Sequence, residues 1–390
     1  MNGQGEKLLN PQEIEGEAAA RARPSGILPA QEIRSLIRDH ELWAKTEITP
    51  AQIQPASLDL RLGDVAYRIR ASFLPGPTAT VKEKLEAFAM HRMDLRQGAV
   101  LETGCVYLVP LQERLALKAR VSAAANPKSS TGRLDVFTRL ICDQGTEFDQ
   151  VPAGYKGELF AEISPRTFSI LVHTGSRLNQ LRFRRGQPAY SDTQLKRLHE
   201  SERLVSGIAD IDNGVALHVN LSGLAGTGPD AYLVGYRAKR HAGLIDIDQV
   251  AGYDALDFWE PIRLPSNPRL VLEPDAFYIL ASKEAVHVPP DHAAEMVPYN
   301  PLVGEFRVHY AGFFDPGFGH DGAGGKGARA VLEVRSHEVP FILEDGQIIG
   351  RLVYERLCER PDSLYGQTLG SNYQRQGLKL SKHFRPLTRL

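Results

Sequence analysis

The sequence predicts a mainly β fold with few short helices, and two observations lead to this prediction. Short runs of alternating or β-branched residues fill most of the chain, and turn-forming residues, among them 35 glycines and 25 prolines, separate these runs. Segments of the first half also recur in the second half at one fixed spacing. At 390 residues the chain is long enough for two domains that each bury a core. We therefore expect two β domains in tandem.

The first predicted element is a short amphipathic helix. Within residues 27–39 (ILPAQEIRSLIRD), Ile33, Leu36 and Ile37 recur at helical spacing. Residues 1–25 lack the uninterrupted apolar region of a signal peptide, and we expect them to form a disordered leader.

Strand signals dominate the remainder of the chain. The clearest runs are residues 57–62 (SLDLRL), 105–109 (CVYLV), 159–163 (LFAEI) and 169–172 (SILV). Residues 191–206 are polar and charged without a strong apolar face, which indicates a connector. The predicted division is a first domain at 26–200, a second domain at 201–360 and a C-terminal tail at 361–390.

The repeat has a constant offset of 171 residues. Val100 begins VLETGCVYLVP, and Val271 begins VLEPDAFYILA. The same offset carries residues 173–183 (HTGSRLNQLRF) onto residues 344–354 (EDGQIIGRLVY). One shift that relates separate segments predicts that the two halves share a fold.

A cluster of hydroxyl and guanidinium groups occurs in the first copy alone. Ser129, Ser130 and Arg133 lie in the sequence SSTGR, whereas the second copy reads NPLVG at residues 300–304. Arginine can bind two phosphate oxygens at once, and glycine lets the backbone approach them. These residues fit a phosphate-binding turn, and a capped surface turn is the structural alternative.

Two glutamates occupy equivalent positions in runs that are otherwise apolar. Glu162 lies in GELFAEI and Glu333 in RAVLEVR. A carboxylate that is desolvated on one face can exchange a proton near neutral pH. Simple alternation in a half-exposed strand explains the same pattern, so both interpretations stay open.

The C-terminal segment 361–382 (PDSLYGQTLGSNYQRQGLKLSK) contains stacking and hydrogen-bonding groups but hardly any aliphatic stripe. Such a composition disfavours a helix or a core strand, and it suits a tail that orders over a ligand. A frayed terminus is the alternative.

Composition restricts the class of protein. A net charge of −1 gives no field that would hold a nucleic-acid polymer or an anionic membrane. The 3 cysteines are isolated, which fits a reducing cytoplasm, and no stretch of about 18 apolar residues occurs. We expect a cytoplasmic protein whose ligand is a small molecule.

Six segments in this order resemble the dCTP deaminase family, within the dUTPase-like fold. They are residues 53–63 (IQPASLDLRLG), 129–133 (SSTGR), 154–162 (GYKGELFAE), 315–318 (DPGF), 346–355 (GQIIGRLVYE) and the tail with its YG, GS, YQ and QG pairs. The resemblance covers most of the chain, as two family domains in tandem like the longer bacterial form of the enzyme. It implies two distorted jelly-roll β domains that bind deoxynucleoside triphosphates at clefts between neighbouring domains, usually in a homo-oligomer that is a trimer.

The resemblance also implies roles for individual residues. Ser129, Ser130 and Arg133 match the SSxxR motif and would hold the phosphates or the attacking water. The catalytic glutamate, which activates water to attack C4 of cytosine in dCTP, corresponds to Glu162 or Glu333. Magnesium is implied only on the triphosphate. The tail residues that would close over the nucleotide are Tyr365, Tyr373, Gln374, Gln376, Lys379 and Lys382.

Zinc chemistry at the base is disfavoured by the sequence itself. Zinc-dependent cytidine deaminases need H-x-E or C-x-E together with P-C-x-x-C, and the 3 scattered cysteines offer no such pairing. No metal site is therefore predicted.

Neither half contains a complete family site. The second copy lacks SSxxR and the first has no tail of its own, so we predict that the serine and arginine cluster faces a glutamate from another domain. Glu333 is the preferred base, and Glu162 stays open. Two other functions also stay open: hydrolysis of dUTP to dUMP and pyrophosphate, alone or after deamination, for which Asp315 is the candidate to hold water, and nucleotide binding without catalysis.

Overall fold

The computed structural model describes residues 24–223, 232–264, 268–298, 306–308, 312–320, 327–336, 338–366 and 377–387. Within these ranges the chain is mainly β with few short helices, which confirms the predicted fold class. No helix in the described part of the chain is long and apolar enough to cross a membrane.

Five α-helices lie in the described ranges. The first confirms the helix predicted within residues 27–39, and it buries Ile33 and Leu36. The fourth was not foreseen, because it occupies the polar connector, where Ser191 and Gln194 form a capping box. The helices are α1 (Ala30–Arg38), α2 (Val81–Phe88), α3 (Ser129–Gly132), α4 (Asp192–Glu202) and α5 (Ala255–Phe258).

Short strands make up both halves. Those before residue 200 are β1 (Gly26–Ile27), β2 (Leu42–Ala44), β3 (Leu58–Asp59), β4 (Val65–Ile69), β5 (Ala89–Asp94), β6 (Ala99–Leu101), β7 (Val106–Ala116), β8 (Val121–Pro127), β9 (Val136–Cys142), β10 (Gln150–Val151), β11 (Lys156–Pro165), β12 (Ile170–Val172) and β13 (Asn179–Arg185). Those after residue 200 are β14 (Val215–His218), β15 (Leu233–Ala238), β16 (Ile245–Asp246), β17 (Trp259–Arg263), β18 (Arg269–Leu272), β19 (Phe277–Val286), β20 (His292–Pro298), β21 (Phe306–Val308), β22 (Phe313–Phe314), β23 (Ala328–Ser336), β24 (Phe341–Glu344) and β25 (Ile348–Arg356).

The strand pairings of the first half recur in the second. The order β5-β4-β7-β11-β9 in one sheet corresponds to β17-β15-β19-β23-β21 in another, and the pair β13-β8 corresponds to β25-β20. Registers recur as well, because Glu162 lies opposite Leu108 and Glu333 lies opposite Ile279. The backbone thus gives the two glutamates equivalent places in two similar sheets.

The two halves also pack closely against each other. Strand β16 of the second half joins β12 of the first in a parallel pair, and Phe168 packs edge-on against Trp259 with 5.5 Å between ring centroids. A buried ion pair joins Arg335 to Asp135. Because one sheet and one apolar cluster contain residues of both halves, the division of the chain near residue 200 stays a prediction.

Candidate active site

A cleft with a volume of about 340 Å³ lies between the two halves. One wall is the turn that follows β8, and the other is formed by β23 and the loop after β22. The polar and aromatic residues that line it are Asp59, Lys128, Ser129, Ser130 and Arg133 from the first half and Phe313, Asp315, Phe318, Glu333, Tyr365 and Lys382 from the second.

The first-half wall is the single helical turn α3. The backbone N–H of Lys128 donates to the Leu178 carbonyl at 2.8 Å, and the Thr131 hydroxyl donates to the same carbonyl at 3.0 Å. These bonds fix the turn against the segment that enters β13. Ser130 and Arg133 are only 6% and 3% exposed. The turn therefore offers its hydroxyls and guanidinium from a braced backbone.

Arg133 links three parts of the molecule. It lies at the end of α3, its Nη1 donates to the carbonyl of Lys379 in the tail at 2.9 Å, and its Nε lies 3.7 Å from Glu333 Oε1. The structure thus brings the first-half arginine, the second-half glutamate and the C-terminal tail to one place.

Glu333 is buried in β23, beside Arg133. Burial raises the pKa of Glu333 to about 7, and the nearby Arg133 opposes that rise with a smaller effect. A carboxyl group with such a pKa can both accept and return a proton at neutral pH.

Glu162 has the same place in its sheet but different neighbours. Arg139 donates to Glu162 Oε1 from Nε at 3.0 Å and from Nη2 at 2.5 Å. The same guanidinium lies over the Phe148 ring, 3.5 Å from its centroid. Glu162 is not among the residues that line the cleft, so the structure places Glu333, and not Glu162, beside Arg133.

Positive charge gathers around Lys128 and Lys382 in the cleft. Burial lowers the pKa of Lys382, and the charge of Lys128 lowers it further. Burial and then Arg133 lower the pKa of Lys379 in the same way. Lys128 also forms an ion pair with Asp59. An anion bound among these cations relieves their mutual repulsion, which makes this part of the cleft suitable for phosphates.

The second-half wall contains a buried acid and aromatic rings. Burial raises the pKa of Asp315, and the nearby Arg182 acts in the opposite direction. Arg182 reaches across from β13, with Nη2 3.4 Å from Asp315 Oδ1 and its guanidinium 4.0 Å from the Phe313 ring centroid. It also donates to the carbonyl of Phe314 at 3.2 Å. A first-half cation thus holds the second-half wall in place.

The tail residues predicted to close over a nucleotide fall into two groups. Tyr365 and Lys382 line the cleft, and the carbonyl of Lys379 accepts from Arg133. Tyr373 and Gln374, with Gln376, lie outside the described residues.

The sequence analysis did not assign three charged residues to the site: Lys128 and Asp59, which line the cleft, and Arg182, which contacts its second-half wall. Lys128 directly precedes SSTGR, and Asp59 is a charged residue at a buried position of a strand-like run, so both left a local signal. Arg182 left none, because its partners are about 110 to 130 residues away along the chain.

One group outside the cleft could hold a metal ion. Ligand atoms of His173, Asp246 and Asp248 lie within 4.8 Å of one another. Asp248 Oδ2 already accepts from the Ser176 hydroxyl at 2.5 Å, and the Asp248 side chain is 50% exposed. These residues are not among those that line the cleft.

Two family descriptions match the chain. The N-terminal domain of 2'-deoxycytidine 5'-triphosphate deaminase matches residues 24–187, and the C-terminal domain of the same enzyme family matches residues 191–384. Together the matches include the cleft residues of both walls.

Curated relatives match smaller parts. A protein named "dCTP deaminase" from Haloarcula marismortui is 28% identical over 137 residues, which cover 34% of this chain and 66% of that protein. One named "dCTP deaminase, dUMP-forming" from Halobacterium salinarum is 34% identical over 110 residues, covering 27% of this chain and 52% of that protein. The chain therefore spans between about half and two thirds of the length of these curated relatives.

A solved structure matches over a longer range. The crystal structure of 2'-deoxycytidine 5'-triphosphate deaminase from Agrobacterium tumefaciens is 59% identical in sequence, with a TM-score of 0.82. The match covers 86% of this chain and 100% of that one. With both domain descriptions and this structure in agreement, the chain belongs to the dCTP deaminase family.

Proposed function

We propose that this protein hydrolyses dCTP to dUTP and ammonia in the cleft between its halves. One observation carries the proposal: buried Glu333, with a pKa raised to about 7, lies beside Arg133 of the turn that bears Ser129 and Ser130. A proton-exchanging carboxyl next to a phosphate-binding turn is what deamination of a nucleotide requires.

In the proposed reaction Glu333 is the general base. Its carboxylate takes a proton from water while the water oxygen bonds to C4 of cytosine, and the proton then passes to the ring nitrogen. Glu333 next takes the proton of the new C4 hydroxyl and gives it to the exocyclic amine, the bond between C4 and that amine breaks, and ammonia leaves as the C4 carbonyl forms. Arg133, 3.7 Å away, favours the ionised form of Glu333 before the attack.

The triphosphate belongs with the hydroxyls and cations of the turn. Ser129 and Ser130 offer donors, and Lys128 and Lys382 offer charge for phosphates that carry Mg²⁺ as part of the substrate. Tyr365 lines the cleft beside Phe318, with 5.9 Å between ring centroids, and it offers an apolar face to the nucleotide.

A second candidate reaction is hydrolysis of dUTP to dUMP and pyrophosphate. Asp315 lines the same cleft, and relatives at 34% and 30% identity are named "dCTP deaminase, dUMP-forming". In this reaction Asp315 would hold the water that attacks the α-phosphate. Burial raises the pKa of Asp315, as it does that of Glu333, and Arg182, 3.4 Å away, favours the ionised form of Asp315.

Product analysis separates the candidates. Purified protein is incubated with dCTP and Mg²⁺, and ammonia, dUTP, dUMP and pyrophosphate are each quantified. The proposal requires one ammonia for each dCTP consumed, and Glu333→Gln must lower the rate of ammonia release by at least about 10²-fold. If pyrophosphate forms together with dUMP, and if the Asp315→Asn variant no longer forms it, the protein also hydrolyses dUTP. Tight binding of dCTP without any product refutes both and leaves a nucleotide-binding module.

A further inference from the structure

The C-terminal tail contains a buried chain of hydrogen bonds that ends at the phosphate-binding turn. The Ser381 hydroxyl donates to the carbonyl of Ser130 at 2.7 Å and lies 2.9 Å from His383 Nδ1. His383 Nε2 lies 2.8 Å from the carbonyl of Ile247. Ser381 and His383 are 2% and 1% exposed, so water does not compete for these contacts.

The chemistry of the end groups fixes the tautomer of the imidazole. A carbonyl oxygen can only accept, so His383 Nε2 carries the proton that is donated to Ile247. Burial lowers the pKa of His383 to about 4, so the ring is neutral near pH 7 and Nδ1 is an acceptor. The Ser381 hydroxyl then shares its single proton in a three-centre hydrogen bond with two acceptors, the Ser130 carbonyl at 2.7 Å and Nδ1 at 2.9 Å. The imidazole and the Ser130 carbonyl thereby fix the orientation of this hydroxyl together.

Other contacts attach the tail without using this imidazole. Backbone N–H groups of Ala251 and Tyr253 donate to the carbonyls of Lys382 and His383 at 3.0 and 3.2 Å. Phe384 packs against Phe258, with 5.3 Å between ring centroids. Removal of the imidazole therefore leaves the tail attached and affects mainly the contact with Ser130.

The contact at Ser130 acts on the candidate active site directly. Two residues before Ser381, the Lys379 carbonyl accepts from Arg133, and one residue after it, Lys382 lines the cleft. Ser381 thus joins the tail to α3, between the contact of Lys379 with Arg133 and the position of Lys382 in the cleft.

We propose that His383 is a positioning residue, which acts through Ser381 to set the register between the tail and the turn of Ser130 and Arg133. Its role rests on the proposed function, since the groups that it positions are those assigned to bind dCTP. It touches neither the nucleotide nor the reacting atoms.

Two substitutions cut the chain of hydrogen bonds at different points. His383→Gln keeps an amide donor near the position of Nε2 and loses the group that faces Ser381. Ser381→Ala removes the hydroxyl itself. Arg385→Ala is the matched control, because Arg385 is an exposed tail residue whose Nη2 donates to Gly252 at 3.1 Å.

Steady-state kinetics with dCTP test the proposal. We expect His383→Gln and Ser381→Ala each to lower kcat/KM about tenfold, the cost of one buried hydrogen bond, mainly through a higher KM. The double variant must lose no more than the larger single effect, because both residues act through one chain of bonds. Arg385→Ala must keep wild-type kinetics. Unchanged KM in both single variants, an additive double variant or an equal loss in the control each overturns the proposal.

Nucleotide binding separates this inference from the proposed function. If the wild-type protein releases no ammonia, the proposed deamination is refuted. The Kd values for dCTP and dUTP are then measured by calorimetry in the wild type and in the same variants. A Kd about tenfold higher in His383→Gln and Ser381→Ala, with wild-type affinity in the control, supports positioning of the binding turn without any catalysis. Equal affinities in all four proteins refute it.

Discussion

Glu162 and Glu333 occupy the same register of two similar sheets, yet only one of them faces a cleft. Glu162 accepts two hydrogen bonds from Arg139 of its own sheet, whereas Glu333 has Arg133 of the other half at 3.7 Å. Burial is nearly equal, at 1% and 5% exposure. The source of the neighbouring cation, more than burial, therefore distinguishes the internal ion pair at Glu162 from the candidate catalytic pair at Glu333.

The largest expected effect separates the two glutamates. Glu333→Gln removes the proposed base, and we expect kcat for ammonia release to fall by about 10²-fold to 10⁴-fold. Glu162→Gln leaves kcat within a few fold and instead lowers the Tm, because Arg139 loses its ionised partner. Ammonia release and thermal unfolding are measured on both variants. Equal losses of kcat would contradict the comparison.

Arg133 gives the next largest effect. Arg133→Met removes the charge at the SSTGR turn and the contact with Lys379, and we expect kcat/KM for dCTP to fall by about 10²-fold or more. Arg139→Met, the counterpart beside Glu162, is the control and must retain much higher kcat/KM per folded molecule. The measurement is initial-rate kinetics after the folded fraction has been determined. Equal loss in both variants would remove the distinction between the two pairs.

The pH dependence is set by the raised pKa of Glu333. A general base must be ionised, so kcat/KM is low when Glu333 is protonated and rises with pH through about 7. In Arg133→Met the midpoint moves to higher pH, because Arg133 lowers the pKa of Glu333 in the wild type. Rate profiles over this range measure the shift. An unchanged midpoint in the variant, with measurable activity, would argue against this residue as the base.

Stability gives a smaller effect with a definite sign. The pKa of Glu333 in the folded state is raised above its ordinary value of 4.5 to about 7, so the folded state binds this proton more tightly than the unfolded state. As the pH rises from 4.5 through about 7, the unfolded state loses the proton first, and the free energy of unfolding decreases. We therefore expect Glu333→Gln to unfold at a higher Tm than wild type at pH 8 and to lose this advantage near pH 4. Glu162→Gln must not raise the Tm at pH 8. Calorimetry at both pH values measures the Tm of the two variants and of the wild type.

Much of this arrangement could be predicted from the sequence. Alternation and turn residues indicate the β fold, and the constant offset of 171 residues relates Glu162 to Glu333. The SSTGR cluster indicates one wall of the cleft, because hydroxyl and guanidinium groups on a turn that contains glycine suit phosphate oxygens. The strand and turn signals are local, whereas the offset emerges from a comparison of segments 171 residues apart.

The neighbour of Glu162 could not be predicted in this way. The family resemblance led us to expect Arg133 beside a second-half glutamate, whereas nothing in the sequence around Arg139 shows that it pairs with Glu162. The contacts of Arg182 and His383 depend on the packing of segments more than 100 residues apart. Such contacts arise from tertiary structure, which single-sequence patterns do not encode.

We propose that the first-half turn and the second-half glutamate act together in one functional cleft. A crystal structure of the Glu333→Gln variant with dCTP and Mg²⁺ would show whether they do. We predict phosphate density at Ser129, Ser130 and Arg133, with cytosine C4 next to Gln at position 333. Density that places the cytosine against Glu162, or the triphosphate away from the SSTGR turn, would contradict the account.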